Sequence, residues 1–316
     1  MSAPGPVPPT IAGVPHSPAS PPSGRPPRSR RLLTAVAVPV LLLAGGLGYG
    51  LAGRGGGDGG GTGHDDAKAA PAPARTPASP VPSPSAGPLS GKVVVLDPGH
   101  NPGNRLHTAD IKRQVDVGNG RKECDTTGTE TNAGYPEAEF TLDVVRRTRK
   151  LLRARGAEVR LTHDGDRKFG PCVDERAEIG NEAEADAAVS VHADGAPAGA
   201  RGFHVIMPGA VHAGKADTRA ITAPSHDLGT RLAASFAKAT GTSPATYING
   251  GTGLDTRSDL GGLNLSRVPK VFLECGNMRD ATDAGLLSAA EWRERAARGV
   301  AAGLTAYLTA GAGEKS

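Results

Sequence analysis

Beyond residue 90 the chain alternates short apolar runs with longer amphipathic stretches. The apolar runs, rich in Val and Leu and bounded by turn residues, predict strands over Lys92–Leu96, Glu158–Leu161, Ala188–Val191, Gly202–Met207 and Val271–Glu274. Between the first two, Phe140, Val144, Val145, Thr148, Leu151 and Leu152 recur at helical spacing and predict a helix over Pro136–Arg155. Pro136 suits its first turn and Gly156 its end. Further helices are predicted over Val173–Ala185, His226–Thr240 and Ala289–Leu308, the last entered through the capping box Ser288–Glu291. Strands alternating with helices predict an α/β fold, a mostly parallel or mixed central sheet flanked by helices. A single domain is expected over residues 91–310, followed by a short tail, 311–316.

The pattern before residue 91 differs. Residues 1–31 form a Pro-rich tail that ends in Arg25, Arg28, Arg30 and Arg31. Leu32–Ala52 then runs 21 residues without a charge, long enough to cross a bilayer as a helix. The arginines on its N-terminal side place that end in the cytoplasm. The expectation is a single-pass cell-membrane protein, anchored through residues 32–52, with residues 91–310 as an extracellular domain. The alternative is a cleaved signal and a secreted protein, for which Gly-Leu-Ala before Gly53 offers small residues. Residues 53–90 are Gly- and Pro-rich, a linker that cannot build a core. A net charge of +4 gives little support to nucleic-acid binding, and no nucleic-acid partner is expected.

Chemistry gathers where predicted strands end. VVVLDPGHN carries His100 just past a strand, AVSVHADG carries His192 in the same position, and KVFLECGN ends a strand on Glu274. In such sheets ligands bind beyond the C-terminal strand ends. YPEAEF adds Glu137 at a helix start. Glu139 competes with it, but residues two apart on a helix point about 200° apart, so only one of them serves a common site. Two imidazoles and one carboxylate make a three-ligand zinc set with an open fourth position, and a free carboxylate beside it is the usual general base. Each residue also has a plainer reading. His100 and His192 read singly as turn or core histidines, Glu137 as a first-turn acid favoured by the helix dipole, and Glu274 as an ion-pair partner of Arg267 or Arg279. Asp97 reads as a partner that orients an imidazole, or as a turn cap. In an exported domain two of the three cysteines pair. Cys124 and Cys172 lie in loop-like segments and are taken as the pair, leaving Cys275 buried and free.

Taken together, VVVLDPGHN, the helix-opening glutamate, SVHADG and the final strand ending in Glu resemble the zinc-dependent N-acetylmuramoyl-L-alanine amidases of the Amidase_3 type, over roughly residues 91–310. The resemblance implies Zn2+ held by His100, Glu137 and His192, with Glu274 as catalytic acid/base. It favours Glu137 over Glu139 through the spacing to Leu142. It implies a peptidoglycan substrate, cleaved between N-acetylmuramic acid and L-alanine of the stem peptide. Two other functions compete: a catalytically silent peptidoglycan- or partner-binding module with a structural zinc, and a zinc peptidase cutting within the stem. The polar segment from Arg105 to Tyr135 departs from the family pattern and reads as a loop or hairpin near the site.

Overall fold

The Val-rich segment after Lys92 forms the first strand, β1 (Val93–Pro98), in a computed structural model that describes residues 87–310. A one-turn helix α1 (Thr108–Ile111) and a hairpin of β2 (Gln114–Asp116) and β3 (Arg121–Glu123) occupy the polar segment that follows. Next come α2 (Glu137–Arg153), β4 (Glu158–Leu161), α3 (Val173–Glu182), β5 (Ala187–Asp194) and β6 (His204–Pro208). A small hairpin of β7 (His212–Ala213) and β8 (Ala216–Asp217) leads into α4 (Thr222–Thr240) and β9 (Leu254–Arg257). The single turn α5 (Gly261–Asn264), β10 (Lys270–Asn277), α6 (Ala281–Ser288) and α7 (Ala290–Ala310) complete the domain.

Six strands form one sheet in the order β4-β1-β5-β10-β6-β9. All neighbours run parallel except β10 and β6, so the sheet is mixed, as the alternating pattern predicts. Side chains alternate between the two faces of a strand. One phase of β1, β5 and β10 supplies Val94, Leu96, Val189, Val191, Val271 and Leu273 to the main core against α2, α4 and α7. Trp292 of α7 sits there between Phe140 of α2 and Phe236 of α4, with ring centroids 6.4 and 6.0 Å away. Burying each such side chain contributes about 1.5–3 kcal/mol. The opposite phase of the same strands carries Asp97, Ser190, His192, Phe272 and Glu274. Three polar side chains of β5 and β10, Ser190, His192 and Glu274, therefore share the face that the long helices leave uncovered.

The sequence pattern misses some elements. β9 has only four residues, none of them buried, so it has no core-facing signature. The helix expected from Ala289 is preceded by a second one, α6, because Asp280 caps it by accepting from the Thr282 and Asp283 amides. Leu89, placed in the linker by its Pro-rich neighbours, is fully buried, and its amide bonds Arg155 O at 2.9 Å. The Pro-rich tail 1–31, the apolar stretch 32–52, most of the linker 53–90 and the tail 311–316 lie outside the described residues. Among the described residues no helix is long and apolar enough to cross a membrane. This finding corrects the single-pass membrane localisation and the membrane as a partner. The longest helix, α7, has 21 residues but carries Arg293, Glu294, Arg295 and Arg298.

Cys124 and Cys172 form a disulfide across a sequence separation of 48, and Cys275 is buried and free. The bridge ties the segment after the β2–β3 hairpin to the start of α3, where Val115, Val117 and the two cysteines form a small core of their own. Closing a loop of that length in the unfolded chain is worth about 4 kcal/mol by the chain-entropy model. Replacing both cysteines by serine is expected to lower Tm by roughly 10 °C. Thermal unfolding of the double variant checks this, and an unchanged Tm would contradict it.

Candidate metal centre

The turn after β1 delivers the first imidazole. Gly99 donates its amide to Val191 O at 2.9 Å, which locks the turn onto β5. A Cβ at Gly99 would lie 2.5 Å from the His192 ring, so only glycine allows this approach. His100 then adopts a left-handed backbone with φ of 62°. That conformation costs a non-glycine residue about 1–2 kcal/mol and persists where its surroundings hold it. Here His163 Nε2 donates to His100 O at 2.7 Å.

Glu137 comes from the first turn of α2 and is 4% exposed, whereas Glu139 is exposed to solvent. The two carboxylate oxygens of Glu137 divide their partners symmetrically. Oε1 accepts from the Ala193 amide at 3.1 Å and faces His192 Nδ1 at 3.0 Å. Oε2 accepts from the Thr129 amide at 2.9 Å and faces His100 Nε2 at 3.3 Å. The two imidazoles stand edge to face with centroids 5.0 Å apart, and one ligand atom from each of the three residues lies within 4.8 Å of the others. Gly128 packs over this group, because a Cβ there would sit 2.8 Å from both Glu137 Oε2 and His100.

The donor set fits a divalent zinc-like ion. Each histidine offers one nitrogen to the common centre and has the other engaged. His100 Nδ1 lies 3.1 Å from Thr126 O and 3.3 Å from Asp125 Oδ1, and His192 Nε2 lies 3.1 Å from Ser190 Oγ. That division of roles is what metal-binding histidines require. Burial would lower the pKa of His100, but Glu137 and then Asp125 outweigh it and raise it well above the usual histidine value. Burial would raise that of Glu137, but His100 and His192 hold it below the usual range. Binding a cation displaces the imidazole proton and takes over the carboxylate charge.

Glu274 stands directly beside His192 in the parallel register of β10 and β5. Neither arginine considered for it reaches it. Arg267 pairs with Glu178 at 3.2 Å, and Arg279 donates to Glu130 O. Glu274 Oε2 is buried with no hydrogen-bond partner. Burial, followed by the neighbouring Glu137 and Asp194 carboxylates, raises its pKa well above the usual glutamate value. On its other side, in antiparallel register, lies His204, which is buried and whose Nδ1 also lacks a partner. A cavity of about 320 Å³ opens beside the two imidazoles, walled by Phe272, Val173, Leu260 and Thr126. Phe272 stacks on His192 at 5.1 Å between centroids.

Asp97 proves to touch neither imidazole. It accepts from Thr162 and Ser190, and reaches His192 only through Ser190. The residues that the sequence reading passed over are Ser190, Asp125 and Thr126. Ser190 had a visible signal, a hydroxyl inside an apolar strand, two residues before His192 and therefore on the same face. Asp125 and Thr126 had none beyond their position next to Cys124.

Comparison with known proteins shows the family. The family model described as N-acetylmuramoyl-L-alanine amidase, Amidase_3, matches residues 94–306. An N-acetylmuramoyl-L-alanine amidase of Mycobacterium tuberculosis is 41% identical over 231 residues, covering 72% of this chain and 92% of its own. The crystal structure of an N-acetylmuramyl-L-alanine amidase from Mycobacterium smegmatis is similar with a TM-score of 0.64 and 40% identity, covering 70% of this chain and 98% of its own. The apo form of such an enzyme from Mycobacterium abscessus matches with a TM-score of 0.64 and 43% identity, covering 70% and 100%.

Proposed function

From the premise that this chain belongs to the Amidase_3 family of N-acetylmuramoyl-L-alanine amidases, we propose which of its own residues carry out the hydrolysis. The protein is a peptidoglycan hydrolase that cleaves the amide between N-acetylmuramic acid and L-alanine of the stem peptide. The observation that carries the proposal is the pairing of a carboxylate shared by two imidazoles with a second, unpartnered carboxylate on the next strand.

His100, Glu137 and His192 are the ligands of a Zn2+ ion in this reading. When bound, the ion supplies Lewis-acid activation of the scissile carbonyl and of water. Glu274 accepts a proton from the attacking water as its oxygen bonds to the amide carbon. Glu274 then delivers that proton to the alanine nitrogen as the carbon–nitrogen bond breaks. The products are a lactyl carboxylate on the glycan and a peptide with a free L-alanine amine. A carboxyl with a raised pKa suits both halves of this task, because an effective acid/base titrates near the working pH. The cation among the three ligands opposes the raised pKa, since it adds positive charge beside Glu274.

Mass spectrometry of digested peptidoglycan tests the reaction. Intact stem peptides starting at L-alanine are expected, and cuts confined to the stem interior would contradict it. The pH profile tests the base. Glu274 must be ionised to take the proton, so kcat/KM is expected to fall as pH drops through its pKa. An acid limb that persists unchanged in Glu274→Gln would contradict the assignment.

A further inference from the structure

Behind the ligands, at the inner wall of the cavity, lies a buried guanidinium that makes no contact with Glu137. Arg176, on α3, donates from Nη1 to Asp97 Oδ1 at 2.6 Å and to Pro98 O at 2.7 Å. Its Nη2 donates to Asp125 Oδ2 at 2.9 Å and to His100 O at 3.1 Å, and its Nε to Pro171 O at 2.9 Å. Each of the two acids leads onward to a different imidazole. Asp125 Oδ1 lies 3.3 Å from His100 Nδ1. Asp97 Oδ2 accepts from Ser190 Oγ at 2.7 Å, and that hydroxyl lies 3.1 Å from His192 Nε2.

We propose that Arg176 is the positioning residue of the metal centre: one planar guanidinium, acting through Asp125 on one side and Asp97–Ser190 on the other, fixes the outward nitrogens of both histidines and thereby sets the affinity of the site for Zn2+. The inference rests on the zinc reading above and goes beyond it, because it assigns the affinity to a residue that contacts no ligand atom.

Three physical arguments support it. The first is geometry: the two acids lie on the two terminal nitrogens of one rigid fork, which a lysine ammonium cannot reproduce. The second is charge. Arg176 and Lys270, whose Nζ lies 3.7 Å from Asp97 Oδ2, balance Asp97 and Asp125, so the cluster is neutral and the Glu137 charge is left to the ion. The third is cost. A buried ion-pair cluster is seldom the most stabilising way to fill a core, and well-packed apolar residues often serve stability as well or better. This cluster also grips the carbonyl of His100, the residue held in a left-handed backbone.

The test is the Zn2+ dissociation constant of the full chain, measured by competition with a chromophoric chelator, for wild type, D125N, S190A and R176K. S190A cuts the arm to His192, and D125N weakens the arm to His100 together with its end of the guanidinium. Each is expected to weaken zinc binding by about 10–100-fold, as loss of outer partners of metal-bound histidines does. R176K is expected to lose at least as much as either. S190A and D125N leave the Arg176–Asp97 pair in place, so they report on positioning even where R176K folds poorly. Zinc affinities of S190A and D125N within twofold of wild type would overturn the inference, as would an R176K protein that melts earlier but binds Zn2+ normally. A wild-type chain that takes up no Zn2+ would instead bring down the zinc reading, and this inference with it.

Discussion

Replacing Glu274 by glutamine lowers kcat for peptidoglycan cleavage by roughly 10²–10⁴-fold, the range associated with loss of a general acid/base, and leaves zinc content unchanged. Glutamine keeps the volume and the strand position but cannot take a proton from water or return it to the leaving nitrogen. Glu274 makes none of the contacts that join His100, Glu137 and His192, so the metal ligands stay in place. Stability is not expected to fall, because the wild-type carboxyl is itself buried with an unpartnered oxygen, and a neutral amide is easier to bury than a charge. The measurement is turnover on purified peptidoglycan alongside zinc per chain. Near-normal turnover with zinc retained would remove Glu274 from the mechanism.

Replacing Glu137 has a different signature. In Glu137→Ala the carboxylate that both imidazoles share is gone, and the amides of Thr129 and Ala193 lose their acceptor. Each stranded buried donor costs about 1–3 kcal/mol. Zinc content is expected to fall below about a tenth of wild type and activity to background, because two imidazoles alone make a poor zinc site. Glu137→Gln separates charge from shape. It retains an oxygen for one amide but removes the anion, so it is expected to fold better than the alanine variant while still binding zinc far more weakly than wild type. A glutamine variant with wild-type zinc content would show that Glu137 is not a ligand. Taken with Glu274→Gln, the pair divides the four residues into those that hold the ion and the one that moves the proton.

The parts of this site that the sequence displayed are those governed by local rules. His192 and Glu274 follow apolar strands, and His100 follows a Pro-Gly turn, so the polar residue at each strand end stands out against its neighbours. Glu137 could be separated from Glu139 only by helix geometry and family likeness, and the burial of the first and exposure of the second follow from the way α2 enters the sheet edge. The Cys124–Cys172 pairing was legible because both cysteines lie in loop-like segments, whereas Cys275 sits at the end of an apolar strand. Arg176 was not legible: in VDERAEIG it reads as one more charged helix residue, and its role appears only when α3 is docked against β1. Asp97 reads in the sequence as either an imidazole partner or a turn cap, and the fold links it to His192 through Ser190, while His100 Nδ1 faces Thr126 O and Asp125. Sequence spacing cannot show which strands will be neighbours, and that adjacency makes the difference. The apolar stretch 32–52, read from its length, its lack of charge and the arginines before it, lies outside the described residues, whose helices supply no membrane span.

The most direct test of the central claim is metal stoichiometry joined to activity in one preparation of the full chain. Zinc per chain is measured by mass spectrometry of the element, before chelation, after chelation and after re-addition, while release of stem peptides is followed in each sample. The account predicts about one zinc per chain, loss of cleavage on its removal and recovery on its return. Full cleavage by protein stripped of metal would contradict it.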